Sequence, residues 1–591
     1  MNDKLFKVCL LLCIIFLVIT GITLLVVSYL SFELLKVKFD SYALSGSADK
    51  FTIEFFKRIA FWLRFIAIVI FLAGGLIYIL RQQIRQYISN IITSSTSLLN
   101  ELEQHLKEFI VKEDKVHLIT LLIIFLAAIA VRLLSLFHPM QTDEAYTFVV
   151  YASKPLYVGL TYYSHPNNHL FHTFLVHMSY LLLGNHPWVI RLPAFFAGIL
   201  LVPASYLVIR ILYNKHAALL TAGIVASSDV LIKYSTHARG YSLISLNFLF
   251  ILALAAYLMQ SKNPAAWLLF AILSALGFYT IPIMLYPFGI VVIWLFLSIV
   301  FQKTNISRSH LLRDLFFSSI ITAILTFMLY VPVFAVTGLE SVIANPYVIS
   351  ESWSDFIAEL PPSLLFLWNN WNRDIPPAIN ILMVIGFFIS LVFHKRLSIH
   401  RVPIIMAVGV WCIPVLIVQR LIPYERVWLF LLPIYIGFAS SGLSFLLSYI
   451  KSKISLYNTV IFSILVITLT VWLGWNSFQS QSRRAYDDYE QVTIFMKDYL
   501  KPGDRVLTEA NPHPSMMYYF KRYNVPARHL ISDLNSSQRI LVIIDKQTDI
   551  LEEFLDKKGV SITNYSAPKL LQRFSLASLY ELNRVNEGSF K

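Results

Sequence analysis

Apolar runs of membrane-crossing length dominate the chain, and its polar residues are gathered into the stretches between them. A helix needs about 20 apolar residues to cross ~30 Å of hydrocarbon. Runs of that kind fall at about 5–35, 59–80, 117–137, 189–212, 217–233, 241–260, 265–281, 283–302, 311–336, 378–394, 402–420, 425–448 and 455–477. The pattern predicts a hairpin of two spans followed by eleven core spans. The first run is too long for a signal-peptide core and has no convincing small-residue cleavage site beside it, so it is expected to remain as an anchor. Arg81 to Lys115 is polar, helically periodic and of mixed charge. His169 to Leu183 is apolar but only 15 residues long. It is expected to lie along the outer interface, with His169 and His172 on one face.

After about residue 480 the pattern changes. A helical period over Tyr486 to Leu500 precedes a Lys501-Pro502-Gly503-Asp504 turn and a short strand pattern, Arg505 to Thr508. Arg539 to Ile544 reads as a buried strand, and Thr548 to Lys558 as a charged helix ending at Gly559. The chain therefore divides into an N-terminal two-span hairpin with a cytoplasmic linker (1–115), a transmembrane domain (116–478) and a small α/β domain (479–591). No internal repeat is evident, which disfavours a transporter built from inverted repeats.

Composition agrees with the spans. The chain is 57% hydrophobic and 14% charged, with a mean hydropathy of +0.66; an ordinary globular chain has about 25% charged residues. Disordered, nucleic-acid-processing and secreted disulfide-rich classes are excluded. Cys9, Cys13 and Cys412 all lie in apolar runs, so neither a disulfide framework nor a cysteine metal site is available. The net charge of +14 resembles a nucleic-acid signal until it is placed. Acidic and basic residues nearly balance in the tail, so the excess belongs to the membrane part, facing anionic lipid. With the N-terminus cytoplasmic, the basic residues of Arg81–Lys115, then Arg210, Lys215, Lys262, Lys303, Arg308, Arg313, Lys395, Arg396, Arg401, Lys451 and Lys453 all fall inside. Fewer fall outside: Lys154, Arg191, Lys233, Arg239, Arg373, Arg420 and Arg426. That bias sets the C-terminal domain outside the cytoplasm.

Ionisable residues near the outer span ends carry the candidate chemistry, because such groups are costly there without a role. Asp143-Glu144 follows the first core span. It reads either as a solvated acid pair or as a carboxylate base whose neighbour raises its pKa by like-charge repulsion. The same face holds Ser164-His165-Pro166-Asn167-Asn168-His169, Arg191-Leu192-Pro193, the segment from Lys233 through His237 and Arg239 to Tyr241, and Tyr424-Glu425-Arg426. Carboxylates in one loop and arginines in three others suit an acid–base step beside an anionic leaving group. Arg132 fits snorkelling to the headgroups as well as a role in the site. Asp229 and Lys233, at i and i+4, read as a local ion pair. Trp353, Trp368 and Trp371 read as an interfacial belt more readily than as a sugar platform. The spacing of His165, His169, His172 and His237 matches no compact ligand motif.

The ordered set Asp143-Glu144-Ala145-Tyr146, His165-Pro166, Arg191-Leu192-Pro193, Tyr234 to Leu243 and Tyr424-Glu425-Arg426 resembles the GT-C superfamily of membrane glycosyltransferases. Within it the chain is most similar to bacterial relatives of dolichyl-phosphate-mannose–protein mannosyltransferases and of the lipid A aminoarabinose transferase. The resemblance covers about 115–591 and implies an all-α polytopic GT-C-like fold. It further implies sugar transfer from a polyprenyl-phosphate donor to an acceptor outside the cytoplasm: a glycan, lipid or protein. By position in the motifs, Asp143 is the expected catalytic base, with Glu144 supporting its loop. Arg191, Arg239 and Arg426 are expected near the donor phosphate, and His165, Asn167, Asn168, His237 and Tyr241 at the substrate. Two motifs depart from the family pattern, His165-Pro166-Asn167-Asn168-His169 and Thr236-His237-Ala238-Arg239, and these positions line the expected pocket.

Such a reaction needs a carboxylate to accept the acceptor's proton, negative charge facing an oxocarbenium-like carbon, and arginine for the departing phosphate. In-line displacement inverts the anomeric configuration. The reaction requires no metal, while the histidines leave a divalent ion open. The expected partners are the lipid-linked donor, the acceptor and the bilayer of a cell membrane, with no nucleic acid. The rival reading is a transporter or flippase of lipid-linked sugars. It calls for polar residues through the bilayer midplane, whereas here they gather at one face.

Overall fold

The computed structural model describes residues 3–33, 36, 52–302, 304–343, 349–449, 455–484, 488–509, 513–530, 537–545 and 551–584. Leu35, at the end of the first predicted span, and Lys303, Lys451, Lys453, Tyr486 and Thr548 lie outside them. Helices α1 (Asp3–Ser28) and α2 (Ile53–Ile79) pair as the N-terminal hairpin. Arg64 of α2 donates to the Ser28 carbonyl (3.1 Å) and hydroxyl (3.3 Å), tying the two together. Polar α3 (Arg81–Lys112) follows, and Asp114 caps α4 (Lys115–Ser135) by accepting from the Val116 N–H. Short α5 (Thr142–Thr147), α6 (Leu156–Thr161) and α7 (Leu170–Leu183) then precede the long α8 (Pro187–Leu212).

The core continues through α9 (Lys215–Ser227), α10 (Asp229–Ser235), α11 (Tyr241–Leu258), α12 (Pro264–Thr280), α13 (Leu285–Phe301) and α14 (Arg308–Val336). It ends with α15 (Trp353–Trp371), α16 (Pro377–Leu397), α17 (Ile404–Gln419), α18 (Leu432–Tyr449) and α19 (Ser455–Arg484). Each predicted span falls on a helix among the described residues, the first ending at Ser28 rather than at 35. Among the described residues ten helices are long and apolar enough to cross a membrane, or eleven if α9 and α10 count as one. The predicted spans at α12 and α17 are shorter, 17 and 16 residues. Pro282 starts a separate turn after α12, and Pro403 and a left-handed Arg420 (φ 47°) bound α17. The protein is a multi-pass membrane protein.

The predicted span 217–233 is not one straight helix: it bends by 61° between α9 and α10. A break leaves the last carbonyls of a helix without partners, and here each has one. Arg132 of α4 donates to the carbonyls of Ala226 (2.8 Å) and Val225 (3.3 Å), and its Nε to Ser235 Oγ (2.9 Å). The Ser477 hydroxyl takes the Ser227 carbonyl (2.9 Å). Arg132 is fully buried and does not reach outward, so snorkelling is excluded. Packing is close where α10 crosses α8: a Cβ on Gly198 would lie 1.9 Å from Ser235 Cβ. The bend directs the chain after α10 into the loop before α11.

The C-terminal domain carries α20 (Tyr489–Tyr499), β1 (Arg505–Leu507), α21 (Pro514–Arg522), β2 (Arg539–Asp545), α22 (Leu551–Lys557), β3 (Lys569–Arg573) and β4 (Ala577–Asn583). Sheet order is β1-β2-β4-β3, with β1 and β2 parallel and the other pairs antiparallel. Val492, Met496, Val506, Met516, Phe520, Leu541 and Leu579 form its core. The β3–β4 hairpin and α21 escaped the sequence reading; β3 is exposed at nearly every position and shows no period-2 pattern. Tyr518 and Tyr519 of α21 pack with Met140, Ala145, Phe148 and Ala238, and the Tyr519 hydroxyl accepts from the Met140 N–H (3.0 Å). The small domain thereby buttresses the loop that carries Asp143.

Candidate active site

The two neighbouring carboxylates face opposite ways. Asp143 and Glu144 occupy the first turn of α5, where the helix dipole favours negative charge. Glu144 is fully buried. It accepts from the Gln141 N–H (3.0 Å), the Ala238 N–H (2.8 Å) and both Nε (3.0 Å) and Nη2 of Arg191. Burial raises its pKa, but Arg191, His237 and these hydrogen bonds outweigh that and hold the carboxyl at about 2. Glu144's charge is thus met by internal partners rather than turned toward Asp143. Glu144 is committed to its internal partners, whereas the side chain of Asp143, 36% exposed, meets Arg426 Nη1 at 3.5 Å as its ion-pair partner among the described residues.

Arg191 is likewise corrected. Expected at a phosphate, it has every guanidinium hydrogen engaged: two on Glu144, and the others on the carbonyls of Leu136 (2.8 Å), His138 (2.6 Å) and Pro139 (2.8 Å). Asn168 is also internal. Its amide donates to the carbonyls of Gly159 and Tyr162, and its oxygen accepts from Thr173. His165 contacts the Tyr146 and Ser164 hydroxyls. Asn167 holds Arg239 rather than facing the cavity: its side-chain oxygen accepts from Arg239 Nη2 (2.9 Å) and its carbonyl from Nη1 (3.3 Å).

Arg239 is almost wholly buried, with Nη1 also donating to Thr147 Oγ1 (3.1 Å). Among the described residues its Nε has no hydrogen-bond partner. Gly240 N–H donates to His169 Nδ1 (2.8 Å), so the neutral ring carries its hydrogen on Nε2, 3.3 Å from Arg239 Nη2. Burial, aided by Arg239, holds this histidine well below its ordinary pKa and therefore uncharged. The ring nitrogens of His237 also lack hydrogen-bond partners among the described residues; burial brings its pKa down to about 4.

These groups surround a cavity of about 510 Å³. Thr142, Asp143, Lys233, Tyr234, His237, Arg239, Tyr241, Glu425 and Arg426 form its membrane-side wall, and Tyr489, Glu509, His513 and Ser515 come from the C-terminal domain. Gln141, Lys233 and His237 also line a second cavity of about 180 Å³, reached by His138, Arg191 and Arg373. Lys233, read from sequence as a local ion-pair partner, thus faces both. The C-terminal contribution escaped sequence reading because nothing in the tail's own pattern points toward the membrane domain. The three tryptophans line neither cavity: Trp353 lies under Arg420, and Trp368 and Trp371 pack on Tyr435. Among the described residues, no three His, Cys, Asp or Glu side chains converge as a cation site.

The fold is a polytopic helical bundle with a small four-stranded C-terminal domain. Residues 164–336 match the family model for dolichyl-phosphate-mannose-protein mannosyltransferase. Apo ArnT from Cupriavidus metallidurans superposes with a TM-score of 0.52 at 12% identity, over 78% of this chain and 97% of that one. The same protein bound to undecaprenyl phosphate gives 0.51 at 14%, over 78% and 96%. The archaeal oligosaccharyltransferase AglB from Archaeoglobus fulgidus, in complex with an inhibitory peptide and a dolichol-phosphate, gives 0.47 at 12%, over 78% and 74%. No curated protein sequence matches the chain. The protein has the GT-C fold and resembles ArnT and the mannosyltransferase family.

Proposed function

We propose that the protein transfers a sugar from a polyprenyl-phosphate donor to a hydroxyl acceptor outside the cytoplasm, with inversion. One observation carries the reading: Asp143, Arg239 and Arg426 line the same cavity. Asp143 takes the acceptor proton as the acceptor oxygen bonds to the anomeric carbon. The bond from that carbon to the phosphate oxygen breaks, and its electron pair leaves with the polyprenyl phosphate. Negative charge on Asp143 also favours the oxocarbenium-like state. Arg239 and Arg426 receive the phosphate, which gains charge as the diester becomes a monoester. Glu144 and Arg191 shape the loop without touching substrate. His237 and Tyr241, at the cavity wall, hydrogen-bond the sugar or acceptor. The likeness to ArnT, solved with undecaprenyl phosphate bound, supports a lipid-phosphate ligand. A prenyl tail stays in hydrocarbon while its phosphate meets the arginines at the span ends.

Arg239→Lys keeps the charge but loses the planar fork that Thr147, Asn167 and the phosphate share. One charge-assisted hydrogen bond is worth roughly 1.5–3 kcal/mol, so transfer is expected to fall about 10- to 100-fold. Purified protein is incubated with polyprenyl-phosphate sugars and release of polyprenyl phosphate is read by mass spectrometry. Wild-type turnover in Arg239→Lys and Arg239→Ala would remove this residue from the site.

The orientation belongs to the same proposal: N-terminus cytoplasmic, cavity and C-terminal domain outside. In a background without Cys9, Cys13 and Cys412, single cysteines replacing exposed Lys154 and Ser354 should react with an impermeant thiol reagent in intact cells. One replacing exposed Ile399 should react only after permeabilisation. The reverse pattern would turn the cavity toward the cytoplasm and overturn the assignment.

A further inference from the structure

We propose that α3 is a membrane-surface helix that lies along one face of the bilayer, with an apolar stripe inserted among the lipids. The inference is independent of the transfer reading. Spans α2 and α4 flank α3 directly, so both its ends are pinned to one membrane surface. Thirty-two residues extend about 48 Å at 1.5 Å per residue. A helix of that length returning to the same surface has to run along it.

Its sides divide three ways. One packs on the protein: Leu98 is buried, Phe109 meets Tyr206 edge-on, Glu101 accepts from the Tyr257 hydroxyl, and the Ser94 carbonyl accepts from Asn263 Nδ2 (3.0 Å). The adjacent side is apolar and uncovered. Ile88, Ile92, Leu99, Leu106 and Ile110 recur at helical spacing as one stripe; Leu99 is 67% and Leu106 59% exposed. The third side is polar, with Gln86, Asn90, Asn100, Gln104 and Lys107 exposed.

Lipid is the occupant because the stripe continues surfaces that lipid already covers. Exposed Leu76 and Ile79 lie at the end of α2, and exposed Ile119 and Leu122 at the start of α4. A helix with one protein, one apolar and one aqueous side fits the bilayer interface. Anchoring is by apolar area rather than charge, since Arg81, Arg85, Lys107 and Lys112 are nearly balanced by Glu101, Glu103 and Glu108, with Glu103–Lys107 and Glu108–Lys112 paired along the helix. Together with Arg58, which donates to the Val336 carbonyl (2.6 Å), and Trp62 against Phe327 and Phe334, the N-terminal segment grips the bundle at two places.

The test uses the full chain without native cysteines, with single cysteines at Leu99, Leu106, Asn100 or Gln104 carrying an environment-sensitive fluorophore. The protein is reconstituted in phosphatidylcholine vesicles with or without nitroxide-bearing lipid. Lipid quenching at positions 99 and 106 should exceed that at 100 and 104 by at least about threefold. Aqueous iodide should show the opposite order. Adding anionic lipid or salt should leave both patterns unchanged. Equal aqueous quenching at all four positions would overturn the proposal. So would disulfide cross-linking of Leu99→Cys between two copies together with loss of lipid quenching, which would make the stripe a dimer contact.

Discussion

Asp143→Asn is expected to lower transfer by at least about 10³-fold while the protein accumulates and folds normally. The side chain is partly exposed and its ion-pair partner among the described residues, Arg426, is 3.5 Å away, so the fold has little stake in its charge. Asparagine keeps the size and most hydrogen bonding but cannot take a proton. General-base catalysis contributes ~10²–10⁴-fold, and the same change removes the negative charge that faces the oxocarbenium-like state. Donor binding should weaken far less, because the phosphate is held by arginine. A merely solvated loop acid would give no more than a few-fold change. Near-normal transfer at matched protein level would therefore withdraw the mechanism.

The second large effect is expected at Arg191, where it should appear in stability as well as turnover. Arg191→Met strands the buried Glu144 carboxylate and the carbonyls of Leu136, His138 and Pro139. Removing one partner of a buried pair costs about 3–5 kcal/mol. The loop bearing Asp143 should lose its geometry, and transfer should fall at least about 100-fold with a lowered Tm. Adding Glu144→Leu removes the stranded charge, so the double variant should regain much of the Tm lost by Arg191→Met. A direct phosphate role for Arg191 predicts something different: an unchanged Tm, lost donor binding, and nothing regained in the double variant. Thermal unfolding and donor binding measured on the single and double variants separate the two.

The protein itself explains why these predictions differ. Adjacent residues of a helix point about 100° apart, so neighbours in sequence need not share a site. Asp143 opens to the cavity while Glu144 turns inward, and the sequence alone invited their reading as an interacting pair. Arg191, Arg239 and Asn168 look alike as polar residues of one face, but their partners decide their roles. Arg191 has no hydrogen to spare, Asn168 is spent on its own loop, and Arg239 lines the cavity while Thr147 and Asn167 hold its guanidinium.

Hydrophobic periodicity by itself determined the membrane class, the positions of the helices and the gathering of ionisable residues at one end of the spans. Those follow from local rules: a run of apolar residues must be helical in lipid, where every backbone group has to be satisfied within its own segment. The bend between α9 and α10, closed by Arg132 and Ser477, was decided by tertiary structure. So were the inward turn of Glu144 and the cavity wall supplied by Tyr489, Glu509, His513 and Ser515. Each depends on a partner many residues away, as with Arg132 and Ala226 or Glu144 and Ala238. No pattern confined to neighbouring residues encodes which distant donor meets which acceptor.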